Sequence, residues 1–453
     1  MNLPSYFLAD LPAEASLTPM MVTEACQTLK RNRVQFLVER PIASLVRTIS
    51  TVAQEWRQPE SPFLKLALDL GPSATGFSRE TLAAGLDAMF ASLTSEGLHA
   101  LLHQDIGHPH RLERMTADEL DAGSERAAMV RGPELLVHIA AGNLPNPVCM
   151  SMVLGLLTRS AQFVKCASGA SLIPRLFAHS LHEIEPKLGA CLEIAEWRGG
   201  NTSLEQALFA EADCVTATGS DETLAAIRHR IPARVRFLGY GHRVSFGYVA
   251  SEVLGGMNPR KTVARAAEDV AAWNQLGCLS PHVIYVETGG VITPEQFAEM
   301  LAVELAHREA HEPRGPLGVE DAAAIASRRH FYEVRAAHSP DTRIWNSPGS
   351  TAWTVVYEND PMFQSSCLNR FVYVKAVSDL ARALEGADAV RGRVSTVGLA
   401  ATENRAHQIA VALAQWGVTR VCPLGRMQKP PLAWRHDGRP SLGDLVTWVD
   451  WEM

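Results

Sequence analysis

Cys278 is the residue of this chain whose type and position most favour covalent chemistry. It lies in the segment Trp273–Pro281 (WNQLGCLSP), in a loop between a predicted helix and the apolar strand HVIYVE. A thiol in such a loop can be accessible, Gly277 permits close approach to the backbone, and the Cys278 backbone N–H can stabilise an oxyanion. The alternative is a half-buried loop cysteine without function, because free cysteines are often buried.

Two polar side chains follow predicted strands, at the edge where wound α/β sheets bind ligands. Asn143, in the segment AAGNLPNP, could donate its side-chain amide to a developing oxyanion. Turns rich in Asn and Pro are also common without function. Lys165 ends the strand AQFVKCA, where its ammonium group could meet a ribose or a phosphate; a surface lysine is the alternative.

Two glycine-containing turns are candidates for phosphate contact. The segment Thr218–Asp221 (TGSD) ends a strand just before a predicted helix, and the N–H groups of a helix start favour phosphate. Ser220 or Asp221 could equally be an ordinary N-cap. The Gly239–His242 turn (GYGH) has a Gly-x-Gly fragment without a third glycine in register, which is a weak dinucleotide fingerprint.

Histidines offer two further arrangements. His307 and His311 are four residues apart on a predicted helix with Glu304 nearby. Their H-x-E-x-H order differs from the zincin H-E-x-x-H, so a solvated helix end is favoured and we expect no metal site. His282, four residues after Cys278, could act as a local base unless strand alternation directs its ring away from the thiol.

The elements that would position these candidate residues can be predicted from the sequence pattern. Short β-type runs alternate with helical stretches, which predicts an α/β protein with parallel sheets. One set of runs is ELLVHIA, AQFVKCA, LEIAEW, DCVTATG and VRFLGYG, and later runs are HVIYVE, TAWTVVYE, RFVYVKAV, VSTVGLA and TRVCPLG. We expect a mainly helical part at 1–130, a first α/β unit at 131–255 and a second α/β unit at 256–427. The segment 428–453, which follows a Pro-rich stretch, is expected to be an appended element.

Composition and charge exclude several function classes. With 453 residues, 47% of them hydrophobic and 20% charged, the chain can bury large cores. A formal net charge of −7 provides no basic surface for nucleic acid. The eight cysteines form no C-x-x-C pair and predict free thiols. The N-terminal segment lacks a signal pattern and no run reaches the roughly 20 apolar residues of a spanning helix, so we expect a cytoplasmic protein.

The candidate segments, taken in order, resemble the motif series of the aldehyde dehydrogenase superfamily: the Asn143 loop, Lys165, Gly199–Gly200, the Thr-Gly-Ser turn, the Gly-x-Gly turn and Cys278. From about Leu135 to the C-terminus the chain resembles more closely the LuxC-type acyl-CoA reductases, through NQLGCLSPHVIYVE, AGNLPNP, TAWTVVYE, TVGL, TRVCPLGRM and WRHDGRPSLGDLVTWVDWE. The resemblance implies an aldehyde dehydrogenase-like fold. Residues 131–255 would form the Rossmann-like cofactor domain on which 1–130 packs, 256–427 the α/β catalytic domain, and 428–453 a small segment for oligomer contacts.

The resemblance also implies roles for single residues. Cys278 aligns with the nucleophile of the family, and Asn143 aligns with the oxyanion-hole amide. The residues expected to bind the cofactor are Lys165, Ser168, Gly199, Gly219, Ser220 and Gly239. The family carboxylate that orients the nicotinamide ribose has no clear counterpart, and Glu358 and Asp360 are the candidates for it.

One departure from the superfamily concerns water activation. Aldehyde dehydrogenases that hydrolyse their acyl-enzyme carry a Glu at the start of a Glu-Leu-Gly-Gly turn. The aligned turn here reads Phe237-Leu238-Gly239-Tyr240. Without this general base, an acyl-enzyme should meet a thiol or a hydride instead of water, which favours reduction over acid production.

The sequence therefore predicts a reductase of acyl-CoA or another acyl thioester that forms an aldehyde through a Cys278-linked acyl-enzyme and hydride transfer from NADPH, with NADH left open. Two alternatives remain. One is a hydrolytic NAD(P)-dependent aldehyde dehydrogenase, and the other is a non-redox acyl carrier or acyltransferase that uses Cys278. The expected partners are an activated acyl donor such as a CoA thioester, an acyl-delivering protein and further copies of the chain, without nucleic acid or a membrane span.

Overall fold

A computed structural model of the protein describes residues 3–12, 14–117, 125–255 and 259–452. The chain divides into two compact units. The first unit comprises residues 1–75, 86–241 and 431–453, and the second comprises residues 76–85 and 242–430. The C-terminal residues therefore fold with the first unit.

The described strands and helices alternate over most of the chain after residue 131. The strands are β1 (Arg126–Arg131), β2 (Leu135–Ile139), β3 (Ala161–Cys166), β4 (Leu192–Glu196), β5 (Cys214–Thr218), β6 (Arg236–Tyr240), β7 (Val244–Val249), β8 (Pro281–Glu287), β9 (Thr342–Asn346), β10 (Thr354–Glu358), β11 (Phe371–Val377), β12 (Val394–Ala400), β13 (Arg420–Pro423) and β14 (Thr447–Glu452).

The described α-helices are Pro19–Phe36, Ile42–Trp56, Pro62–Thr75, Arg79–Ser92, Ser95–Ile106, Asn146–Leu157, Leu172–Ile184, Pro186–Gly189, Thr202–Glu211, Asp221–Arg230, Ser251–Leu254, Pro259–Ala271, Pro294–His311, Val319–His338, Leu380–Gly386 and Glu403–Trp416. Short 3₁₀ segments are Leu8–Asp10, Pro109–Leu112, Ala272–Gln275, Asp388–Val390 and His436–Gly438. Within the described residues, no helix combines the length and the apolar character needed to cross a bilayer.

The first unit contains a parallel sheet of the Rossmann-like type. Its described strands follow the order β4-β3-β2-β5-β6, and every neighbouring pair is parallel. The chain order reverses between β2 and β5, and in such sheets the crevice at this reversal binds ligands at the carboxyl edge. Apolar clusters cover both faces, with Val164 and Phe163 of β3 contributing to opposite ones. The expected Rossmann-like parallel sheet is confirmed.

The helices that precede β1 belong largely to the core of this unit. Leu45, Ile49 and Leu101 are fully buried in the same cluster as Leu156 of the helix that follows β2. The apolar spacing between residues 84 and 101 belongs to two helices, because the chain leaves the first helix after Ser92. The Thr94 hydroxyl then caps the second helix by accepting the Gly97 backbone N–H.

The second unit contains a larger, mainly parallel sheet. Its described strands follow the order β13-β12-β7-β8-β11-β10-β9, and only the pairing of β9 with β10 is antiparallel in this described part. All residues of the central strands β8 and β11 are buried. Apolar clusters lie on both faces. Continuous runs such as HVIYVE and FVYVKAV are typical of parallel strands covered on two sides.

A third, two-stranded sheet joins distant parts of the chain. β1 pairs antiparallel with β14, so that Arg126 lies opposite Glu452. Sequence analysis did not predict β1, because RAAMVR has little β-branched or aromatic character. The pairing with β14, far away in sequence, stabilises it, and an ion pair between Arg126 and Asp450 (2.9 Å) supports the same register.

Candidate active site

Cys278 differs from the other cysteines in its surroundings. All eight are free, and Cys278, Cys367 and Cys422 are half-buried, whereas the remaining five are buried. Burial raises the thiol pKa of Cys422 to about 11 and that of Cys26 to about 12. The thiol pKa is raised by burial in the same direction for Cys149, Cys166, Cys191, Cys214 and Cys367. Neutral thiols are weak nucleophiles, so these seven are poor candidates for an acyl-carrying residue.

The turn that carries Cys278 immediately precedes β8 and is fixed by hydrogen bonds. Ser280 donates its backbone N–H to the Gly277 carbonyl at 2.9 Å. The Cys278 carbonyl accepts the hydroxyl of Ser245 at 2.7 Å, and the same hydroxyl oxygen accepts the Thr396 backbone N–H at 3.1 Å. Ser245 is fully buried on β7. These bonds therefore hold the peptide group that follows Cys278 in one orientation.

The backbone just before this turn is strained. Trp273, Asn274 and Gln275 have φ angles of 51°, 52° and 65°, in the left-handed region. Such angles cost side-chain-bearing residues about 1 kcal/mol or more each, and they persist where surrounding contacts impose them. The buried Gln275 amide provides such contacts, because it donates to the carbonyls of Pro281 (2.7 Å) and Phe371 (2.9 Å). Strain of this kind concentrates at functional sites, which agrees with the expectation for Cys278.

Two more side chains hold the same region. The Asn274 amide donates to the Arg314 carbonyl at 2.8 Å. The Gln428 amide donates to the Ser280 hydroxyl, and a Cβ atom placed on Gly277 would come within 2.6 Å of its nitrogen. Gly277 is therefore needed for the close approach of Gln428. Sequence analysis named neither Ser245 nor Gln428, because both lie far from Cys278 in the chain.

His282 is directed into a separate hydrogen-bonding arrangement. Its Nδ1 atom accepts the Ser366 backbone N–H at 3.0 Å and lies 3.2 Å from the Ser366 hydroxyl oxygen. Burial lowers the pKa of the imidazole to about 4, so the ring is neutral near pH 7. In the neutral ring the proton is then on Nε2, because Nδ1 accepts. With Nδ1 accepting a hydrogen bond and Nε2 protonated, His282 has no nitrogen available to take up a proton and is a weak candidate for a local base.

Glu358 and Asp360 lie at the opposite end of the second unit's sheet from Cys278. Glu358 ends β10, whereas Cys278 precedes the start of β8, and the two strands run in the same direction through β11. The Lys375 ammonium group, fully buried, lies 2.5 Å from Glu358 and 3.1 Å from Asp360. These carboxylates compensate a buried cation, and their placement gives no support to a role beside Cys278.

The histidine pair His307 and His311 lies on the helix Pro294–His311, with ring centroids 4.9 Å apart. Glu304 forms an ion pair with Arg308 at 3.4 Å on the same helix. In the described residues, no group of three or more His, Cys, Asp or Glu side chains has an arrangement that could hold a metal ion.

The first unit brings most of the other candidates to the carboxyl edge of its sheet. Asn143 follows β2, Lys165 and Ser168 lie at and after the end of β3, and Gly199 follows β4. The loop after β2 is joined to β3 by a hydrogen bond from the Ala140 backbone N–H to the Lys165 carbonyl, 3.0 Å. Asn143 is exposed in this loop. It belongs to the first unit, whereas Cys278 belongs to the second.

Lys165 and Gly199 are close neighbours in this edge. Lys165 is buried, and its Nζ atom lies 5.9 Å from the centroid of the Trp197 ring. A Cβ atom on Gly199 would lie 4.0 Å from the same nitrogen. Burial lowers the pKa of the Lys165 ammonium group, and the nearby Glu205 and Glu196 raise it. A partly desolvated cation at this edge is suited to a ribose hydroxyl or a phosphate.

The three remaining candidates already have roles within the unit. Gly219 donates its backbone N–H to the Tyr240 carbonyl at 3.2 Å, which extends the pairing of β5 and β6. Ser220 is the N-cap of the helix Asp221–Arg230 and accepts the Thr223 backbone N–H. Gly239 lies inside β6, and its carbonyl accepts from Arg439 at 3.1 Å. Their roles in cofactor binding stay predictions.

The register of β3 and β4 identifies a residue that sequence analysis did not name. Cys166 of β3 lies opposite Glu196 of β4. Ser168 and Arg198 each follow the end of their strand by two residues, so both chains leave the sheet at its carboxyl edge there. Both residues are exposed. The missing signal was the register, because Arg198 and Ser168 are separated by a helix in the sequence.

Phe237 lies in β6 and packs on the neighbouring helix. Its ring is partly buried against an apolar cluster that includes Leu224, and the Arg228 guanidinium lies 5.7 Å from the ring centroid. No carboxylate occupies this position. The alignment of Phe237 with the water-activating Glu stays a prediction.

Comparisons with known proteins show the family of the chain. The family model described as acyl-CoA reductase (LuxC) matches residues 37–448. A long-chain acyl-protein thioester reductase of Photorhabdus laumondii subsp. laumondii is 22% identical over 420 residues, covering 90% of this chain and 82% of that protein. The protein of the same description from Aliivibrio fischeri is 23% identical, covering 90% of this chain and 82% of its own.

Solved structures of low sequence identity share the fold. A putative aldehyde dehydrogenase PutA from Anabaena variabilis has a TM-score of 0.71 and 15% identity, covering 96% of this chain and 93% of its own. A NAD-dependent benzaldehyde dehydrogenase from Corynebacterium glutamicum has a TM-score of 0.70 and 14% identity, with coverages of 97% and 91%. The aldehyde dehydrogenase-like fold is thereby confirmed.

Proposed function

The chain belongs to the acyl-CoA reductase (LuxC) family, and from this membership we propose that it reduces long-chain acyl thioesters to aldehydes through an acyl group carried on Cys278. The observation that most supports the nucleophile is the Cys278 turn, a half-buried thiol on a strained segment held by Ser245 and Gln275. The seven other thiols are held neutral by burial. The relatives described as acyl-protein thioester reductases support an oxidoreductase that acts on acyl thioesters.

The proposed first half-reaction transfers the acyl group to the protein. The Cys278 thiolate attacks the thioester carbonyl carbon, a new C–S bond forms, and the bond to the donor sulfur breaks. The donor leaves as a thiolate and takes up a proton. The oxyanion of the tetrahedral intermediate would accept hydrogen bonds from the Cys278 backbone N–H and the Asn143 amide, each contributing on the order of 3 kcal/mol.

The second half-reaction releases the aldehyde. A nicotinamide cofactor, when bound, supplies the hydride that reduces the acyl carbon. Cleavage of the C–S bond then returns Cys278 as a thiolate and completes the aldehyde. Sulfur suits both half-reactions because a thiolate is nucleophilic near neutral pH and also a good leaving group. One acyl thioester, one hydride and one proton give one aldehyde and one free thiol.

The carboxyl edge of the first unit fits a dinucleotide. The Lys165 ammonium group lies beside Gly199, where a Cβ atom would be 4.0 Å from the Lys165 nitrogen. We assign Lys165, Ser168 and Gly199 to the adenosine ribose and its phosphate. Gly219, Ser220 and Gly239 are assigned to the neighbouring cofactor-phosphate region. The exposed Arg198, two residues after β4 as Ser168 is after β3, supports NADPH over NADH, because an arginine at this edge could neutralise a 2′-phosphate.

The acyl donor is either a CoA thioester or an acyl group carried on a protein. The relatives support the carrier protein, since they are described as acyl-protein thioester reductases. We also propose a homo-oligomer in which the segment 428–453 takes part. β14 in this segment exposes Trp448 to 42% and Trp451 to 52%. Trp451→Asp should lower the oligomeric mass in analytical ultracentrifugation, and an unchanged mass would argue against this contact.

Intact-mass spectrometry tests the acyl-enzyme directly. The wild-type protein incubated with a long-chain acyl-CoA, without cofactor, should gain the mass of one acyl group. Cys278→Ala should not gain it, while Cys367→Ala, a second half-buried cysteine of the same unit, should behave like the wild type. Subsequent addition of NADPH should remove the added mass and give one equivalent of aldehyde, trapped as a hydrazone.

The outcomes also separate the alternatives. Loss of the acyl mass as free acid without NADPH would indicate a hydrolytic enzyme. A stable acyl-enzyme that NADPH and NADH leave unchanged would indicate a non-redox acyl carrier or acyltransferase. Acylation of Cys278→Ala would overturn the nucleophile assignment itself.

A further inference from the structure

Arg420 is a buried cation near the Cys278 turn that the proposed mechanism does not use. It begins β13, and its guanidinium donates to the carbonyls of Met427 (2.7 Å) and Arg426 (2.9 Å). The same group lies 3.4 Å from the Thr396 hydroxyl oxygen. Arg420 belongs to the segment TRVCPLGRM, which the family resemblance singled out without giving it a function.

A continuous set of contacts connects Arg420 to the nucleophile. Thr396 on β12 is the register partner of Arg420 on β13 and of Ser245 on β7. The Thr396 backbone N–H binds the Ser245 hydroxyl, which in turn donates to the Cys278 carbonyl. Arg420, Thr396 and Ser245 therefore lie at one register level on three neighbouring strands, and Ser245 at the end of this row contacts the Cys278 turn.

The charges around Arg420 include the thiol itself. Burial lowers the pKa of the Arg420 guanidinium, and Cys422, Asp269 and Cys278 act in the opposite direction as nearby negative groups. An electrostatic attraction between Arg420 and the Cys278 thiolate is thus part of the balance at this site. The attraction acts in both directions, because a cation that is stabilised by a thiolate also stabilises that thiolate.

Near neutral pH, the other titratable groups near the site compete only weakly with the Cys278 thiolate for the positive charge of Arg420. Burial raises the pKa of the Asp269 carboxyl to about 7, so it is partly protonated there. Burial raises the thiol pKa of Cys422 to about 11. His282 on β8 has its pKa lowered to about 4 by burial and by His242, and it carries no charge at pH 7.

The loop after β13 holds this arrangement in place. Asp269, on the helix Pro259–Ala271, accepts the backbone N–H groups of Gly425 (2.5 Å) and Met427 (2.9 Å). Gly425 has a φ of 88°, and a Cβ atom there would come within 2.9 Å of the Arg265 side chain. The next residue after Met427 is Gln428, which contacts the Cys278 turn. One loop thus fixes both the Arg420 guanidinium and the Gln428 amide.

We propose that Arg420 is a positioning residue that provides the counter-charge of the Cys278 thiolate. The loop from Pro423 to Gln428 holds the Arg420 guanidinium in this position. The inference rests on the proposed role of Cys278 as nucleophile. It predicts that the charge of residue 420, and not only its shape, controls how readily Cys278 ionises.

Alkylation by iodoacetamide, a neutral reagent, measures this property without acyl donor or nucleotide. The rate at Cys278 is followed from pH 5 to 11 by peptide mass spectrometry in the wild type, Arg420→Gln, Arg420→Lys and Arg426→Gln. Arg426 is an exposed arginine of the same loop and serves as the matched control. Arg420→Gln should slow alkylation at pH 7 about tenfold and move the midpoint of the pH profile to higher pH, because the thiolate loses its counter-charge.

The shape of the profile distinguishes charge from structure. A purely structural disturbance would change the limiting rate at high pH, whereas loss of the counter-charge moves the midpoint and leaves that limit nearly unchanged. Arg420→Lys, which keeps the charge, should retain most of the wild-type midpoint, and Arg426→Gln should match the wild type. An unmoved midpoint in a folded Arg420→Gln protein would overturn the proposal.

The wild-type profile decides the case if Arg420→Gln does not fold. Its midpoint must then lie below that of Cys278 in the guanidinium-unfolded chain, and a midpoint at or above that reference overturns the proposal. A shifted midpoint together with an absent reductase activity would reject the proposed function and retain the Arg420 inference. The two claims therefore fail separately.

Discussion

The eight cysteines of this protein differ in the expected reactivity of their thiols because their surroundings differ. Burial holds seven of the thiols in their neutral form, while Cys278 lies half-buried in a turn whose carbonyl is held by Ser245. Polar residues around the turn hold its backbone and the Ser280 hydroxyl. At the residue scale, the reactivity expected of Cys278 is thus a property of its neighbours, including Gln275, Gln428 and Arg420.

At the residue scale, the Asn143 amide is expected to donate a hydrogen bond to the oxyanion. Asn143→Ala should lower kcat by about 100-fold to 1,000-fold with a smaller effect on KM, because the oxyanion exists only in the transition state and the intermediate. Steady-state kinetics with acyl-CoA, supported by single-turnover acylation, measure both quantities. Nucleotide binding, measured by fluorescence, is the control and should stay unchanged. An unchanged acylation rate would return Asn143 to the role of an ordinary turn residue.

Arg198 carries the prediction for cofactor choice. Arg198→Ser should raise KM for NADPH about tenfold and leave KM for NADH nearly unchanged, because only NADPH has a 2′-phosphate for the guanidinium to neutralise. Arg198→Lys is the matched variant and should keep part of the preference. Equal effects on the two nucleotides would show that Arg198 does not read the 2′-phosphate.

At the scale of elements, two short left-handed segments frame the nucleophile. One is Trp273–Gln275 before the Cys278 turn, and the other comprises residues 368–370 before β11, with φ angles of 58°, 54° and 66°. Gln275 connects them, because its amide donates to the carbonyl of Phe371, the first residue of β11. Both segments precede central strands of the sheet, and the Gln275 hydrogen bonds help to offset the strain.

Gly277 carries the prediction for the turn. Gly277→Ala places a methyl group within 2.6 Å of the Gln428 amide nitrogen and should displace this amide from Ser280. We expect acylation of Cys278 to slow about tenfold, measured by single-turnover mass spectrometry, with a loss of stability of about 1 kcal/mol from the lost hydrogen bond. Gly318→Ala, with nothing within 4 Å of the new Cβ, is the control.

A double variant tests the cause. In Gly277→Ala combined with Gln428→Ala the clash is removed, so the two effects should be less than additive. Strict additivity would mean that Gly277 serves the turn by some other means than making room for Gln428.

At the scale of the whole molecule, each unit has its own parallel sheet and its own apolar clusters. In the first unit, residues near the N-terminus contact β4, the outermost described strand on that side of the sheet. The Leu8 backbone N–H donates to the Glu193 carboxylate of β4 at 2.7 Å, and His179 binds Asp10 at 3.0 Å. Residues far apart in sequence thus contribute to one folded unit, and its stability depends on groups that titrate.

Glu193 carries the prediction for stability against pH. Burial raises the pKa of its carboxyl group to about 8, although the Leu8 and Ile194 N–H groups act to lower it. A raised folded-state pKa gives stability that is fully present below the unfolded value near 4.5 and is lost as pH rises through about 8. Glu193→Gln stays neutral and should melt at a higher temperature than the wild type at pH 8.

The comparison at two pH values isolates the titration. At pH 4.5 the melting temperatures of Glu193→Gln and the wild type should nearly coincide, because both side chains are then neutral in the folded state. Glu183→Gln, an exposed glutamate of the same unit, should follow the wild type at both values. An equal difference at pH 4.5 and pH 8 would show that packing, and not ionisation, separates the variants.

The sequence by itself determined the family, the α/β fold and the setting of Cys278. These follow from local information: apolar runs and their alternation with helices predict parallel sheets, and the order of short segments carries the resemblance. The loop position of Cys278 before the strand HVIYVE could be seen for the same reason. β1 could not, because RAAMVR becomes a strand only through its pairing with β14.

Only the tertiary structure decided which distant residues act on the site. Ser245, Gln428 and Arg420 reach the Cys278 turn through sheet register and loop return, which sequence separation conceals. Glu358 was one candidate for the ribose-orienting carboxylate, and only strand direction showed that it lies at the opposite end of the sheet from Cys278, beside Lys375. Register and strand direction are set by long-range pairing, so local sequence patterns carry little information about them.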